Sequence, residues 1–481
     1  MKLTFLWTDW MIWGLVVALL LWGRVVLRSP QVRRQWRQIF QSKLALSSAL
    51  VLGVYFAIAL LDSVHFRQAV VTEKGQVYYS HELVSGLDYV FSHLKERQER
   101  TYSAPFATYE YSRSVVQDAQ GQISQQFLPL KHVNTQTSIA WEGVKAFVGV
   151  GLVLAGIYGL FLGLGRGSFV TKIRKWIGKE RQAVDKVTQN VSNFSQNSYQ
   201  NPQPRLSYQA EIPWKVGFLT LWVVLGFLVW GYLLSFSYHV LGTDKIGQDV
   251  FLQTLKSIRT GVLIGVLTTL VMLPFALFLG IAAGYFRGWV DDIIQYLYTT
   301  LSSIPGVLLI AAAVLMMQVF METHPEWFES LQERADLRLL FLVLILGMTS
   351  WTGLCRLVRA ETLKISQVEY VTAARAFGVG HFKILYRHIL PNLMHIVLIS
   401  IVLDFSGLVL AEAVLSYVGV GVDPTMNSWG NMINQARLEM AREPMVWWSL
   451  LSAFMFMFVL VLSANLFSDR IQSVLDPRNQ K

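Results

Sequence analysis

Asp404 and Glu412 stand inside one apolar stretch, approximately residues 391–415. A charge at membrane depth is costly and by default marks a functional group: a substrate contact, a proton relay or an ion site. Glu412, in Leu410-Ala-Glu-Ala-Val-Leu415, lies closer to the outer end of the stretch and is expected to line the entrance of a pathway. Asp404 sits near the middle, and two roles stay open for it: a hydrogen bond within a helix bundle, or a contact with substrate. No catalytic residue is expected. The chain has no G-x-x-x-x-G-K-[ST] phosphate cradle, no H-E-x-x-H and no G-x-S-x-G, so it is not expected to hydrolyse ATP or to be an enzyme. The single cysteine, Cys355, excludes an intrachain disulfide and reads as a packed small side chain. His81, Glu82, Asp88 and His93 fit no recognised ligand spacing; they read as a solvated helix face, and no metal site is expected.

The segment from Glu369 to Asn392 carries a different kind of chemistry, that of a docking surface. Val371 to Phe377 is a good helix former that stops at Gly378. A second short helix is expected from His381 to Ile389, before Pro391 opens the next span. Ala373, Ala374 and Ala376 give the first helix a smooth face that another protein can approach closely. Arg375, Lys383 and Arg387 form a rim suited to steering an acidic partner.

These residues need elements to hold them, and composition says of what kind. Of 481 residues, 53% are hydrophobic and only 15% charged, against roughly a quarter charged in soluble proteins, so the chain belongs in a lipid bilayer. Its net charge of +10 clusters at the ends of apolar runs, as in loops on the cytoplasmic side, and no nucleic-acid partner is expected. Nine apolar runs are long enough to cross: about 10–27, 45–61, 139–164, 213–237, 259–285, 293–320, 337–357, 391–415 and 446–467. The first reads as an anchor and not as a removable signal. Arg24, Arg28, Arg33, Arg34, Arg37 and Lys43 follow it without an acidic residue. That loop is expected inside, the N-terminus outside and, after nine spans, the C-terminus in the cytoplasm.

Between those arginines, Val32, Trp36, Ile39 and Phe40 have the spacing of an interfacial helix, although a plain positive anchor explains the charges equally. Outside, 62–138 is expected to form a small domain built on an amphipathic helix between His81 and Arg97, with Leu83, Val84, Leu87, Val90, Phe91 and Leu94 on one face. Inside, 165–212 begins basic, with Ile177, Val184, Val187 and Val191 as a possible stripe. It ends in a Gln, Asn and Ser-rich linker from Gln189 to Gln203. A composition break near 205 separates an N-terminal extension, 1–204, with three spans and the outside domain, from a core at 205–481 with six.

Thr372-Ala373-Ala374, three residues, Gly378, nine residues, then His388-x-Leu390-Pro391 resembles the E-A-A-x3-G-x9-I-x-L-P loop of ABC importer permeases. The pattern departs at Thr372 for Glu and at His388 for Ile. Leu241-Gly-Thr-Asp-Lys-Ile-Gly-Gln-Asp-Val250, Gly284-Tyr-Phe-Arg-Gly-Trp-Val-Asp-Asp292, Trp351 with Arg356 and Arg359, Leu415 to Gly421, Ser428-Trp-Gly-Asn431 and Leu475-Asp-Pro-Arg478 are similar to the C-type subunit of the dipeptide/oligopeptide/nickel branch. The resemblance implies an all-α polytopic protein of the bacterial inner membrane, with a type I importer permease core. It implies two ATPase subunits carrying ATP and magnesium, a second permease and an extracytoplasmic binding protein, with no cofactor in this chain. Thr372, Ala373, Ala374, Arg375, Gly378, His388, Leu390 and Pro391 would couple to the ATPase; Gly242, Asp244, Gly247, Asp249 and Trp429 would face the binding protein. Independently of the resemblance, Asp244 and Asp249 suit helix starts, and Trp429 reads as an interfacial anchor ahead of a recognition role. Lys43 to Leu61 also resembles the family's usual first span, so that the core is either extended at its N-terminus or split by an insertion. An ion-coupled secondary transporter using Asp404 and Glu412 is the alternative function, although no internal repeat supports it.

Overall fold

A computed structural model describes residues 2–71, 77–117, 123–134, 137–165, 212–327 and 330–475. The linker at 166–211, with the expected stripe and the boundary near 205, lies outside the described residues, as do Asp476, Pro477 and Arg478. Among the described residues, nine helices are long and apolar enough to cross a bilayer. The chain divides into two units, 138–233 and the remainder.

In the larger unit, α1 (Trp7–Arg28) leads into α2 (Pro30–Phe40) and α3 (Lys43–Asp62). The arginine-rich segment is helical: Pro30 occupies the first turn of α2, where its missing N–H costs nothing. Ile39 is buried with Ala45, Ile471 and Val474, and Trp36 packs at the edge of that cluster.

Among the described residues, the strands lie between the spanning helices or before the first of them. β1 (Lys2–Thr4), β2 (His65–Val71) and β3 (Val77–Ser85) form an antiparallel sheet, and β4 (Ser114–Gln117) pairs with β5 (Ile123–Gln126). The helix expected from His81 to Arg97 is therefore corrected. Backbone pairing with β2 holds residues up to Ser85 extended, and a capping box at Ser85 and Asp88 starts α4 (Gly86–Val90). A separate short helix follows, α5 (Ser92–Glu96). Leu83, Leu87, Phe91 and Leu94 are buried, but Val84 is half-buried and Val90 is 40% exposed, so the expected face holds at four of its six positions and on a different backbone.

The smaller unit holds α6 (Ile139–Gly165) and the body of α7 (Trp214–Leu234). They pair antiparallel through indole donors: Trp222 Nε1 gives a hydrogen bond to the Phe147 carbonyl at 2.8 Å and Trp230 Nε1 to that of Ile139 at 3.2 Å. Gly143 and Gly151 make room for those two indoles.

Beyond α7, α8 (Val250–Phe286) has 37 residues, about 55 Å at 1.5 Å per residue, enough to join both faces of a bilayer. The run expected at 293–320 is broken in two. Ile304 is extended before Pro305, as the proline ring requires, leaving the amphipathic α9 (Trp289–Ser303) and the apolar α10 (Gly306–Thr323). Next come α11 (Leu331–Ile365), α12 (Glu369–Ala376), α13 (His381–Ile384), α14 (Leu390–Tyr417), α15 (Trp429–Glu439) and α16 (Trp448–Leu475). The core is the long packing of α8 on α11, with α14 and α16 beside them, and α3 lies against both α8 and α16. Cβ atoms at Gly280 and Gly284 would lie 2.8 Å from Val358 Cβ and 2.6 Å from Thr362 Cβ, so glycine sets how closely α8 and α11 approach.

Candidate functional site

The knob between α11 and α14 is fixed from beneath and bare on top. Val371, Ile384, Ile389 and Leu393 are buried beneath it. Above, Phe377 is 86% exposed, Phe382 85% and Tyr386 72%. α12 ends in a Schellman turn: Gly378 N donates to the Arg375 carbonyl at 3.0 Å and Val379 N to that of Ala374 at 3.1 Å. Gly378 takes φ +73°, with open space where a Cβ would stand. Glycine is required there by conformation and not by crowding. Thr372, in the place of the expected Glu, is exposed and turns its hydroxyl back to the Glu369 carbonyl at 2.9 Å. Ala373 is exposed and Ala374 half-buried.

Pro391 does not open a separate helix as expected. A single π turn, Leu385–Ile389, carries α13 into α14 without a break. Proline has no N–H for the Arg387 carbonyl, and its ring crowds that carbonyl; widening the preceding turn relieves both. Asn392 adds a side-chain donor to the His388 carbonyl at 2.6 Å and reaches the Tyr370 hydroxyl at 3.1 Å. The His388 and Tyr370 rings lie 6.0 Å apart, so the second departure, His for Ile, packs within the knob.

The end of α8 is bonded directly to this knob. Tyr285, buried, has its hydroxyl 2.8 Å from His381 Nδ1, and the Arg375 guanidinium lies 5.0 Å over its ring. Nearby, Arg359 of α11 grips Asp291 of α9 with two charge-assisted bonds at 2.5 and 2.7 Å. That guanidinium holds the Asp291 carboxyl below the ordinary carboxylate range. Sequence reading placed these residues in matching stretches but missed the pairings, which join positions far apart in the chain.

At the other end of α8, the loop from Leu241 to Val250 is backed by residues 99–103. Thr243 N donates to the Ser103 carbonyl at 3.0 Å, and Ser103 N to Thr243 Oγ1 at 2.7 Å. Glu99 N reaches the Gly247 carbonyl at 3.1 Å, and a Cβ on Gly247, at φ +76°, would fall 1.9 Å from the Glu99 oxygen. Gly242, Asp244, Gly247 and Asp249 are all buried; Lys245, Ile246 and Gln248 remain exposed. Asp249 caps α8, accepting from Phe251 N at 2.8 Å. Asp244 instead closes its own turn, accepting from Ile246 N and Gln248 N at 3.0 and 2.8 Å. His239 lies between Asp249 at 2.8 Å and Glu99 at 3.6 Å. Burial opposes its charge, but the two carboxylates outweigh it and hold the His239 pKa above its ordinary value.

Trp429 is not an interfacial anchor: it is 1% exposed, and its Nε1 donates to the Thr254 carbonyl at 3.2 Å. Glu412 does not face open space. It is 2% exposed, accepts from the Ser416 hydroxyl at 2.7 Å and lies against Gly430 in the first turn of α15. Asp404 is half-buried and makes no hydrogen bond to another described residue.

A further buried polar cluster had no signal in the sequence. Arg259 of α8 donates to Asp9 at 2.8 Å and to the Thr8 hydroxyl at 2.9 Å, and lies 3.6 Å from Asp336 of α11. Thr8 N bonds Asp336 at 3.0 Å, and His65 Nδ1 lies 2.7 Å from Asp9. α1 is thereby fastened to α8 and α11.

The half of the chain that carries the knob is also the half that matches known proteins. The family described as "Binding-protein-dependent transport system inner membrane component" matches residues 276–481. The glutathione transport system permease protein GsiD of Pectobacterium atrosepticum is 32% identical over 242 residues, covering 50% of this chain and 73% of that protein. This chain belongs to that family. The permease is also 31% identical over 242 residues to the oligopeptide transport system permease protein OppC of Mycobacterium tuberculosis, covering 50% of this chain and 77% of OppC. To the dipeptide transport system permease protein DppC of Bacillus subtilis it is 28% identical over 240 residues, covering 50% and 69%. A solved structure titled as inward-facing conformations of the MetNI methionine ABC transporter covers 47% of the permease and 96% of that chain, at 16% identity and a TM-score of 0.35, too slight a likeness to bear on the fold. These relatives do not favour the ion-coupled alternative.

Proposed function

We propose that this permease forms part of the pore of an ATP-driven importer of peptides or similar small ligands, with its motive force supplied by a separate ATPase seated on the knob. The observation that carries the reading is the link from Arg375 and His381 to Tyr285. A partner that grips Phe377, Phe382 and Tyr386 and moves them displaces α12 and α13. Because the knob is bonded to the end of α8, that displacement passes into a helix reaching the opposite face. Exposed aromatics over a buried aliphatic base are what a docking partner grips.

The wider assembly belongs to the same reading: two ATPase subunits holding ATP and magnesium, a second permease completing the pore, and a binding protein on the face of Lys245, Ile246 and Gln248. The peptide class rests on the names of the relatives, which are glutathione, dipeptide and oligopeptide permeases. Asp404, uncommitted among the described residues, would face the pathway shared with the second permease. Glu412 would join that pathway only when α15 lifts away from it. In this orientation the knob and the C-terminus are cytoplasmic and the N-terminus outside. The packing of α3 on α8 and α16 favours α3 as the first span of the transport core, with an insertion between it and the Leu241 to Val250 loop.

Purification from native membranes tests the reading. An ATPase and a second permease should accompany this chain, and the variant Phe377→Ala/Phe382→Ala should lose the ATPase while retaining the permease. Recovery of a homogeneous single chain that transports unaided would overturn it.

A further inference from the structure

Between Asp9 and Asp62 the chain has no acidic residue, and its basic residues there gather at the corners of α2: Arg24, Arg28, Arg33, Arg34, Arg37 and Lys43. Arg33 closes the corner with α1 by donating to the Leu27 carbonyl. The others are all exposed, and none forms an ion pair or a side-chain hydrogen bond with another described residue. Asp469, beside Arg470 at the end of α16 that packs on α2, makes no ion pair with them either.

This charge stands at a fixed level. Ser29 alone separates α2 from α1, and Gln41 and Ser42 separate it from α3, so α2 cannot leave the height at which those two spans end. Leu27 and Leu44, each 64% exposed, bracket it with apolar side chains. Besides the burial of Ile39, Arg470 donates to the Gln38 carbonyl at 3.4 Å, and Trp36 meets Trp22 of α1 edge-on at 5.2 Å. At the start of α16, Trp448 Nε1 donates to the Thr243 carbonyl at 3.0 Å, in the loop from which α8 sets out. The far end of α16, where Ile471 and Val474 cover Ile39, is therefore the end at which α8 meets the knob. α2 and the knob share a face.

Arg34 and Arg37 are three residues apart on α2, which makes them neighbours on its surface, with Cβ atoms about 5–6 Å apart. A guanidinium keeps its charge at any working pH, and its planar fork of donors matches the oxygens of a phosphate. We propose that α2 is a binding surface for anionic phospholipid, with Arg34 and Arg37 holding a headgroup phosphate and Arg28 and Lys43 attracting others at the two corners. Free phosphate and an acidic protein carry the same complementary charge. The level of α2, between the ends of two apolar spans, selects the lipid headgroup. The assignment requires only that the chain spans a bilayer and does not rest on the import reading. Because Gln38 and Ile39 are bound to α16, headgroups held by α2 brace the end of that span.

The test is native mass spectrometry of the full chain released from nanodiscs of equal parts phosphatidylglycerol and phosphatidylcholine. The unmodified chain should retain phosphatidylglycerol in clear excess. Arg34→Gln/Arg37→Gln should lower that excess about fivefold for each arginine removed, with phosphatidylcholine unchanged. The control Arg100→Gln/Lys131→Gln removes as much charge from exposed positions outside α2 and should leave the excess intact. Equal retention of the two lipids by the unmodified chain, an equal loss in the control, or displacement of the lipid by excess glycerol phosphate would overturn the surface. Loss of the ATPase from Arg34→Gln/Arg37→Gln with the lipid excess intact would overturn it in favour of a protein partner. The comparison of the two lipids needs no variant, so misfolding cannot obscure it. It also needs no ATPase, so its failure is distinct from failure of the chain to retain one.

Discussion

The Tyr285 hydroxyl lies 2.8 Å from His381 Nδ1, so the last turn of the 37-residue α8 and the first turn of α13 move as one. Tyr285→Phe keeps the ring under Arg375 and removes only this bond. Transport per ATP hydrolysed should fall several-fold while the ATPase still co-purifies in normal amount. An unchanged ratio in reconstituted vesicles would place the transmission elsewhere.

Gly378 is held at φ +73° in open space. Gly378→Val therefore meets no clash, but a β-branched residue in the left-handed region costs about 1–2 kcal/mol or more. Gly378→Asn, which tolerates that region, should retain most activity. The valine variant should stay in the membrane and hydrolyse ATP without transport. Equal transport by the two variants would show that the turn does not matter.

Phe377 and Phe382 contribute almost nothing to the fold of this chain, being 86% and 85% exposed. Truncating either to Ala should leave thermal stability within about 0.5 kcal/mol. Association with the ATPase should weaken by about 2 kcal/mol for each. Competition pull-down with purified ATPase reads the second effect and a melting curve the first.

His239 gives the loop before α8 a pH dependence. Its folded pKa is raised above the ordinary 6.5, so the folded state binds the proton more tightly than the unfolded state does. The stabilisation is complete below 6.5 and is lost as pH rises through the folded value. Glu99 acts in the opposite sense at lower pH: burial opposes its charge, but the His132 and Lys131 N–H groups and His239 hold its pKa below 4.5. Its contribution is lost only as pH falls through that depressed value. Amides of 99–103 and 243–249 should be better protected at about pH 6 than at about pH 8.5, once intrinsic exchange is corrected for. His239→Gln should flatten that difference.

What the sequence determined by itself was local. Apolar length identified the nine spans, because a bilayer leaves a chain few options but helix. Gly378 marked the end of α12, because a left-handed turn depends on its own residues. Cys355, read as packed, is buried.

Only the tertiary structure decided the rest, for reasons particular to each residue. The apolar period of 81–97 is shared by a strand followed by two short helices, and pairing with β2 made the choice. Trp429 and Glu412 sit in stretches that look interfacial or pathway-lining, but Trp429 packs on α8 and the first turn of α15 covers Glu412. Glu439 carried no signal at all. Its carboxylate accepts the hydroxyl of Tyr102, 337 residues earlier in the chain. Arg259, likewise, finds Asp9 250 positions away. Polar pairing between distant elements depends on which of them meet, and hydropathy along the chain does not record that.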